Sequence, residues 1–147
     1  MSGAWYGNDT AWRMAIDLAR ILHYADSSGQ LHDTPQRRHL ALVDGIVAGE
    51  GNGPLDPRPA AAGVLIFGDD VAVVDRAACH LMGFRPEAIP LVREAFRQQR
   101  WPITKRDVNE AAECKVDGTM RLDADLAPVL GRAFETPQGW RSYLRPA

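Results

Sequence analysis

The sequence predicts an α/β fold, with a small, partly parallel sheet flanked by helices and a C-terminal β-hairpin. The first observation is a pair of short apolar runs that each end in acidic residues, 39–44 and 62–70, and such runs are typical of buried strands. The second is the segment 71–82, which follows directly and lacks Gly and Pro, as a helix should. Because buried strands alternate with helices, we expect at least one parallel pair.

The third observation concerns the C-terminal third of the chain. Asp117 and Gly118 separate two short strand candidates, 113–116 and 119–122. A two-residue Asp-Gly connection between such runs is the strongest local signal for a hairpin. We therefore predict an antiparallel hairpin at this point.

Helices are expected at three further places. Residues 8–24 contain no Gly or Pro and begin with a capping candidate, Asn8 or Thr10, and their apolar side chains cover so wide an arc that we expect a mostly buried helix. Gly83 would end the helix at 71–82. The remaining predictions are a surface loop at 26–38, helices from 86 or 89 to 99 and over 125–134, and a turn at 136–140.

Length and composition are typical of one globular domain, residues 1–147. The chain has 147 residues, of which 46% are hydrophobic and 24% charged, and this is enough to bury one core. No apolar run approaches the roughly 20 residues of a membrane span. A formal charge of −2 gives no electrostatic reason to expect nucleic acid or an anionic membrane as a partner. With no signal-peptide pattern and no disulfide framework, we expect a cytoplasmic protein.

Arginine supplies most of the positive charge. Lys105 and Lys115 are the only lysines among 17 basic residues, and a guanidinium can form paired hydrogen bonds to carboxylate or phosphate. Four arginines could contact an anion in this way: Arg13, Arg20, Arg37 and Arg38. The alternative is that they form ion pairs on a helix surface and lie in a solvated loop, within a composition that is generally rich in Ala and Arg.

The segment from Asp44 to Pro54 places four glycines within nine residues. Each glycine costs roughly 0.5–1 kcal/mol more than alanine on folding, so we expect positive φ angles or a close backbone approach. Consecutive backbone N–H groups could form a nest for an anion. The pattern lacks the Lys of a P-loop and the helix start of a dinucleotide site, and the alternative is a tight loop between two strands.

Acidic residues near the predicted strand ends suggest a metal site. If the two strands are parallel neighbours, Asp44 and Asp70 lie at the same edge of the sheet, where ligands bind in open α/β folds. Asp75 lies about one helical turn further on, and oxygen ligands of this kind suit Mg²⁺ or Ca²⁺. The predicted metal ligands are Asp44, Glu50, Asp70 and Asp75, and the predicted contacts to a small anion are Gly49, Glu50, Gly51, Asn52, Gly53 and Arg13.

A simpler interpretation of the acidic residues remains open. Asp69 or Asp70 could cap the following helix, and Asp44 could accept hydrogen bonds from backbone N–H groups of the glycine-rich segment. The four histidines show no zinc-ligand spacing. Cys79 lies among apolar helical residues and Cys114 lacks an activating neighbour, and no Gly-x-Ser-x-Gly sequence occurs.

Four segments of the chain are similar to one known family. These segments are 5–14, from WYGND onward, 43–54 with its EGNGP box, 68–75 and 81–84. They resemble the domain of unknown function 362 family, which has no settled reaction. The resemblance places the family's characteristic residues on Asp44, Glu50, Gly51, Asn52, Gly53, Asp70 and Asp75.

The resemblance also bears on cofactors and partners. Some longer family members carry ferredoxin-type cysteine clusters, but two isolated cysteines do not match a four-cysteine cluster, so we expect no iron–sulfur centre here. The family's longer members suggest that this chain corresponds to a C-terminal portion. If so, an exposed apolar face, a homodimer or an N-terminal domain would be expected against the sheet.

Two functions are compatible with this sequence. In the first, a cytosolic domain binds a small anionic ligand together with a divalent cation such as Mg²⁺; the carboxylates hold the metal, the glycine-rich segment contacts the ligand and Arg13 neutralises it. Whether such a site is catalytic stays open. In the alternative, the acids and glycines only shape the fold, and the chain is a non-catalytic module that pairs with another chain or domain.

Overall fold

The computed structural model describes residues 10–140 of the chain. The prediction of a cap at Asn8, and the family segment that begins at Trp5, therefore lie in part outside the described residues. The helices and strands are α1 (Ala11–Tyr24), β1 (Ala41–Gly45), β2 (Ala48–Asn52), β3 (Asp56–Ala60), β4 (Val64–Gly68), α2 (Val71–Leu81), α3 (Pro90–Ala95), β5 (Glu113–Val116) and β6 (Thr119–Leu122).

The prediction of a partly parallel sheet is wrong. β1 pairs with β4, β2 with β3, and β5 with β6, and all three pairs in the described residues are antiparallel. The sequence predicts a loop between the two apolar strands, which correspond to β1 and β4. This segment contains β2 and β3 and turns back on itself, so that β4 returns along β1 in the opposite direction, whereas parallel neighbours need a crossover connection.

The first four strands form one long hairpin with a bend. One side of the hairpin is β1 followed by β2, and the other side is β3 followed by β4. β1 pairs with β4 and β2 pairs with β3. Between Gly45↔Val64 and Ala48↔Ala60, two residues on one side face three on the other, which is the arrangement of a β-bulge. Gly63 has φ +67° and donates its N–H to the Ile46 carbonyl at 3.1 Å. The bulge therefore separates the hairpin into a β1–β4 part and a β2–β3 arm.

Helix α2 forms the centre of the described structure. Ala72 and Cys79 belong to an apolar cluster with Ile16 of α1 and with Val92 of α3. Ala77 and Leu81 belong to a second cluster, in which the partners are Leu126, Ile66, Cys114, Val116, Val129 and Leu130. The helix thus packs against the other helices on one side and against both β1–β4 and β5–β6 on the other.

Three helix predictions need correction. α1 is not mostly buried: Ile16 and Tyr24 are buried, whereas Met14, Leu18, Ile21 and Leu22 are each more than half exposed, because α3 covers it on one side. α3 ends at Ala95 rather than near residue 99. Residues 125–134 form no α-helix but two 3₁₀ turns, Asp123–Asp125 and Ala127–Leu130. In the range 10–140, no helix is both long and apolar enough to cross a membrane.

The other local predictions are confirmed. α2 starts after Asp70 and ends before Gly83, whose φ is +73°. The hairpin of β5 and β6 has the predicted residues and turn, with φ of 45° at Asp117 and 84° at Gly118. Positive φ at both positions is what a type I′ turn requires, and Asp-Gly supplies it.

Candidate functional site

Asp44 and Asp70, two of the predicted metal ligands, do not lie at the same edge of the sheet. In the antiparallel register Asp44 pairs with Leu65, whereas Gly68, at the end of β4 that leads to Asp70, pairs with Ala41. Three strand residues, or roughly 10 Å, separate these two positions. The Asp44 carboxylate instead accepts a hydrogen bond from the Ile46 N–H at 3.1 Å. The simpler interpretation of Asp44, a contact to backbone N–H, is therefore confirmed.

Asp70 caps α2. One carboxylate oxygen accepts hydrogen bonds from the N–H groups of Ala72 and Val73, at 3.1 and 3.2 Å. The other accepts a hydrogen bond from the Thr104 hydroxyl at 2.5 Å. The capping interpretation is confirmed for Asp70, and the same carboxylate also fixes the segment around Thr104 next to the start of the helix.

Asp75 lies on the outer side of α2, just over one turn after Asp70. Although Asp75 is exposed, neighbouring atoms partly desolvate its carboxyl group, and this raises its pKa. Four residues further on, burial and, to a smaller extent, the charge of Asp75 raise the pKa of the Cys79 thiol to about 12. Cys79 is therefore a protonated, apolar packing residue at neutral pH, as the sequence predicts.

Glu50 and its neighbours contact a later segment of the same chain. The Glu50 carboxylate accepts hydrogen bonds from the Arg132 guanidinium at 3.0 Å and from the Glu135 N–H at 2.9 Å. Gly51, with φ +81°, donates its N–H to the Glu135 carbonyl at 3.0 Å. The Asn52 side-chain oxygen accepts a hydrogen bond from the Gln138 N–H at 2.9 Å. We call these contacts between 50–52 and 132–138 the tail clasp.

The remaining predicted ligand contacts lie in different places. Gly49 lies in the β2–β3 ladder, where an added Cβ would come within 3.2 Å of Pro57, and Gly53 precedes the cis Pro54 peptide bond in the turn. Arg13 lies on α1 with its guanidinium 4.6 Å from the centre of the Trp12 ring. Within residues 10–140, no group of three or more His, Cys, Asp or Glu side chains is arranged to hold a metal ion.

A different cleft brings several basic and titratable side chains together. It has a volume of about 570 Å³ and lies where the end of α1, the approach to β1, the start of α2 and residues 103–106 meet. We call it the His–Arg cleft. It is lined by His23, Arg37, Arg38, His39, Asp69, Asp70, Ile103, Thr104, Lys105, Arg106 and Glu110.

Two histidine rings are stacked in this cleft. The rings of His23 and His39 lie 3.9 Å apart with an angle of 9° between their planes. Burial, and next to it the neighbouring His39, lower the pKa of His23, so that His23 is neutral at pH 7. The Nε2 atom of His39 is buried and has no hydrogen-bond partner within the described residues. A buried polar atom without a partner costs free energy, but this atom has almost no accessible surface and is therefore not itself a contact for a ligand in the cleft.

Basic side chains surround the two rings. Arg37 donates to the Ala25 carbonyl at 2.5 Å, and Arg106 pairs with Glu110 at 2.9 Å. In the described part of the chain, no acidic group lies within ion-pair distance of Arg38 or Lys105. The cleft therefore combines four basic side chains with three acidic ones, Asp69, Asp70 and Glu110, an excess of one positive charge.

The sequence pointed to only part of this cleft. Arg37 and Arg38 were candidates for anion contacts, whereas Arg20, another candidate, forms the helix-surface pair with Asp17 at 3.0 Å. His23 and His39 lie 16 residues apart and carry no pair spacing, and Thr104, Lys105 and Arg106 lie more than 60 residues further on. No local pattern connects these segments, because only the packing of α1 and α2 brings them together.

Comparison with known proteins bears on the family of the chain. Neither curated proteins nor solved structures gave a significant match. A family model described as Domain of unknown function (DUF362) matches residues 4–80, just over half of the chain. The match includes the stacked histidines of the cleft, His23 and His39, as well as Arg37, Arg38 and the glycine-rich segment. It ends before Thr104. The chain therefore belongs to the DUF362 family.

Proposed function

We propose that this protein binds a small anionic ligand in the His–Arg cleft. The observation that carries the proposal is that Arg38 and Lys105, which have no acidic group within ion-pair distance in residues 10–140, line one cleft together with Arg37 and Arg106. Guanidinium and ammonium groups supply charge-assisted hydrogen bonds to an anion. A volume of about 570 Å³ falls within the usual range for small-molecule sites.

The location differs from the one that the sequence suggested. Glu50 and Asn52 form the tail clasp, and the two oxygens of Asp70 bind the start of α2 and Thr104. A divalent cation such as Mg²⁺ at Asp44, Glu50, Asp70 and Asp75 stays a prediction, as does the cytoplasmic location. An anion in the His–Arg cleft does not need that cation, because the cleft supplies its own positive charge.

Calorimetric titration with pyrophosphate, with and without Mg²⁺, tests the proposal. We expect binding to the purified protein that weakens at least tenfold in Arg38→Ala and in Lys105→Ala, because each loses a charge-assisted contact. Arg85→Ala is the matched control, since Arg85 is an exposed arginine that pairs with Glu87 outside the cleft. Absence of binding, or equal losses in all three variants, would contradict the proposal. Binding that depends on Mg²⁺ and is lost in Asp75→Ala would favour the predicted metal site.

A second function, pairing with another chain, is supported by a separate observation. Leu42 and Phe67 are direct cross-strand partners and are 66% and 67% exposed, and Leu65, on the same outer face of β1–β4, is 61% exposed. The opposite face packs on α2. Contiguous apolar side chains of this kind mark interaction surfaces, and the sequence predicted such a face.

Sedimentation velocity tests this second function with a second copy of the chain as partner. We expect a concentration-dependent dimer for the wild type and a monomer for Phe67→Lys. Leu55→Lys is the control, because Leu55 is 85% exposed but lies at the tip of the β2–β3 arm. A wild-type protein that stays monomeric at high concentration would contradict pairing between copies through this face.

A further inference from the structure

A groove runs between two strands that do not pair with each other. It has a volume of about 450 Å³ and is lined along one side by residues 63–70, including all of β4, and along the other by 112–117, including all of β5. Val74, Ala77 and Leu81 of α2 lie along it as well. The groove thus has an apolar floor made by a helix and two walls made by strands.

Within the described part of the chain, each wall is a strand edge that pairs with no other strand. β4 pairs with β1 on its other side, and β5 pairs with β6 on its other side. Within residues 10–140, no backbone hydrogen bond joins β4 to β5. A free edge carries a row of unpaired N–H and C=O groups, so two such rows border the groove.

The sequence leaves the β4 edge unprotected. Proteins usually guard a free strand edge with proline or charged residues. β3 follows this rule, since four of its five residues are Asp56, Pro57, Arg58 and Pro59. β4, on the same side of the bent hairpin, is Val-Leu-Ile-Phe-Gly and has neither. This contrast within one side of the hairpin indicates that the β4 edge is normally covered.

We propose that the groove binds an extended segment of a partner polypeptide as an additional strand between β4 and β5. The proposal goes beyond the second function, because it concerns the strand edges along the groove rather than the outer face of β1–β4. The added strand would join two separate ladders into one five-stranded sheet over α2. An extended chain is the suitable occupant because it presents hydrogen-bonding groups to both sides.

The walls also define the side chains of the partner strand. Side chains that point inward would meet Ala77 and would lie between Ile66 of β4 and Cys114 of β5, which both pack on the second apolar cluster, and so they should be apolar. Side chains that point outward would lie beside the exposed row of β5, Glu113, Lys115 and Asp117. That row has two acids and one base, whereas the outward neighbours on the β4 wall are Leu65 and Phe67. Lysine matches both walls, because its aliphatic stem can cover apolar side chains while its charge lies beside the acids, so lysines should alternate with the apolar residues.

An acetylated and amidated ten-residue peptide of alternating Val and Lys is the first probe, and a phage-displayed library of ten-residue peptides is the second. We expect saturating peptide to slow amide hydrogen exchange at least tenfold in β4 and β5 and to leave β3 unchanged. The same peptide with N-methyl groups on alternate residues should bind more weakly, because it lacks the donors for one wall. Selected library peptides should show the apolar and basic alternation.

Charge reversal provides an independent readout. Glu113→Lys should weaken the Val-Lys peptide about two- to fivefold, the range for a cross-strand charge pair. The control Asp56→Lys, on the guarded β3 edge, should have no effect. Failure of both peptide probes to bind, or binding without protection of β4 and β5, would overturn the groove proposal. Binding that is lost in Phe67→Lys without such protection would overturn it too, while leaving pairing through the outer face of β1–β4 intact.

Discussion

Arg76 and Asp123 form the most buried ionic contact in the described structure. The guanidinium Nε donates to the Asp123 carboxylate at 2.6 Å, and the two side chains are 7% and 2% exposed. The other guanidinium nitrogens donate to the carbonyls of Val108 and Glu110, at 3.1 and 2.8 Å. Asp123 also accepts from the Ala112 N–H at 2.9 Å. The pair therefore ties α2 to the β5–β6 hairpin, and each charge depends on the other.

Removal of one member of this pair should be strongly destabilising. We expect Asp123→Ala to lower the free energy of unfolding by about 3–5 kcal/mol, because Arg76 is left buried without its counter-charge. Urea unfolding followed by circular dichroism measures the loss. Glu87→Ala, which removes the exposed partner of Arg85, should cost no more than about 1 kcal/mol. Equal losses in the two variants would refute the role of burial.

Asp75 should make stability depend on pH. Its folded-state pKa is raised by burial above the ordinary value of 3.8, so the fold favours the protonated acid. Stability should therefore fall as the pH rises above 3.8 and should level off above the folded-state pKa. We expect Asp75→Asn to have a higher Tm than the wild type at pH 7 and the same Tm below about pH 3.5. A difference in Tm that is the same at both pH values would contradict a titration effect.

At the scale of elements, local signals predicted what each segment is but not how segments pair. α2, its cap at Asp70 and the Asp-Gly hairpin follow from residues within a few positions of one another, and all three are correct. The direction of β4 relative to β1 depends on β2 and β3. The sequence does not predict these two strands, because glycine and proline are rare in strands and both segments contain them: Gly49, Gly51, Pro57 and Pro59. Without β2 and β3, the sequence predicts a crossover between β1 and β4, whereas the structure has a hairpin.

The tail clasp should depend on Glu50. Glu50→Ala removes the acceptor for both the Arg132 guanidinium and the Glu135 N–H. We expect faster amide hydrogen exchange over 132–138 and in β2, with exchange in α1 unchanged, because α1 packs with α3 in the other apolar cluster. Asp44→Ala is the control, since Asp44 contacts only the Ile46 N–H among the described groups. Unchanged exchange over 132–138 would show that Glu50 does not hold the segment.

At the scale of the whole molecule, the candidate site shows the limit of sequence reasoning. The predicted metal site depends on parallel strands, whose carboxyl ends would bring Asp44 and Asp70 to one edge of the sheet. The observed antiparallel pairing separates these two residues. The His–Arg cleft is assembled from α1, the approach to β1, the start of α2 and the segment after α3. Arg38 and Lys105 are 67 positions apart, and only the shared contacts of α1, α2 and α3 make them neighbours. Such a site has no signature in a single sequence.

The tail clasp also bears on the order in which the chain folds. Its hydrogen bonds join residues 82 to 86 positions apart, whereas the bent hairpin closes over fewer than 30. Long loops cost more entropy to close and slow the contacts that depend on them. On a ribosome, Glu50 emerges long before Arg132 and Glu135 are synthesised. The β2–β3 arm can therefore form first, and residues 132–138 bind to it afterwards. We expect pulse-labelled refolding to protect the β1–β4 amides before the Gly51 amide, which makes the clasp the final closure of the fold.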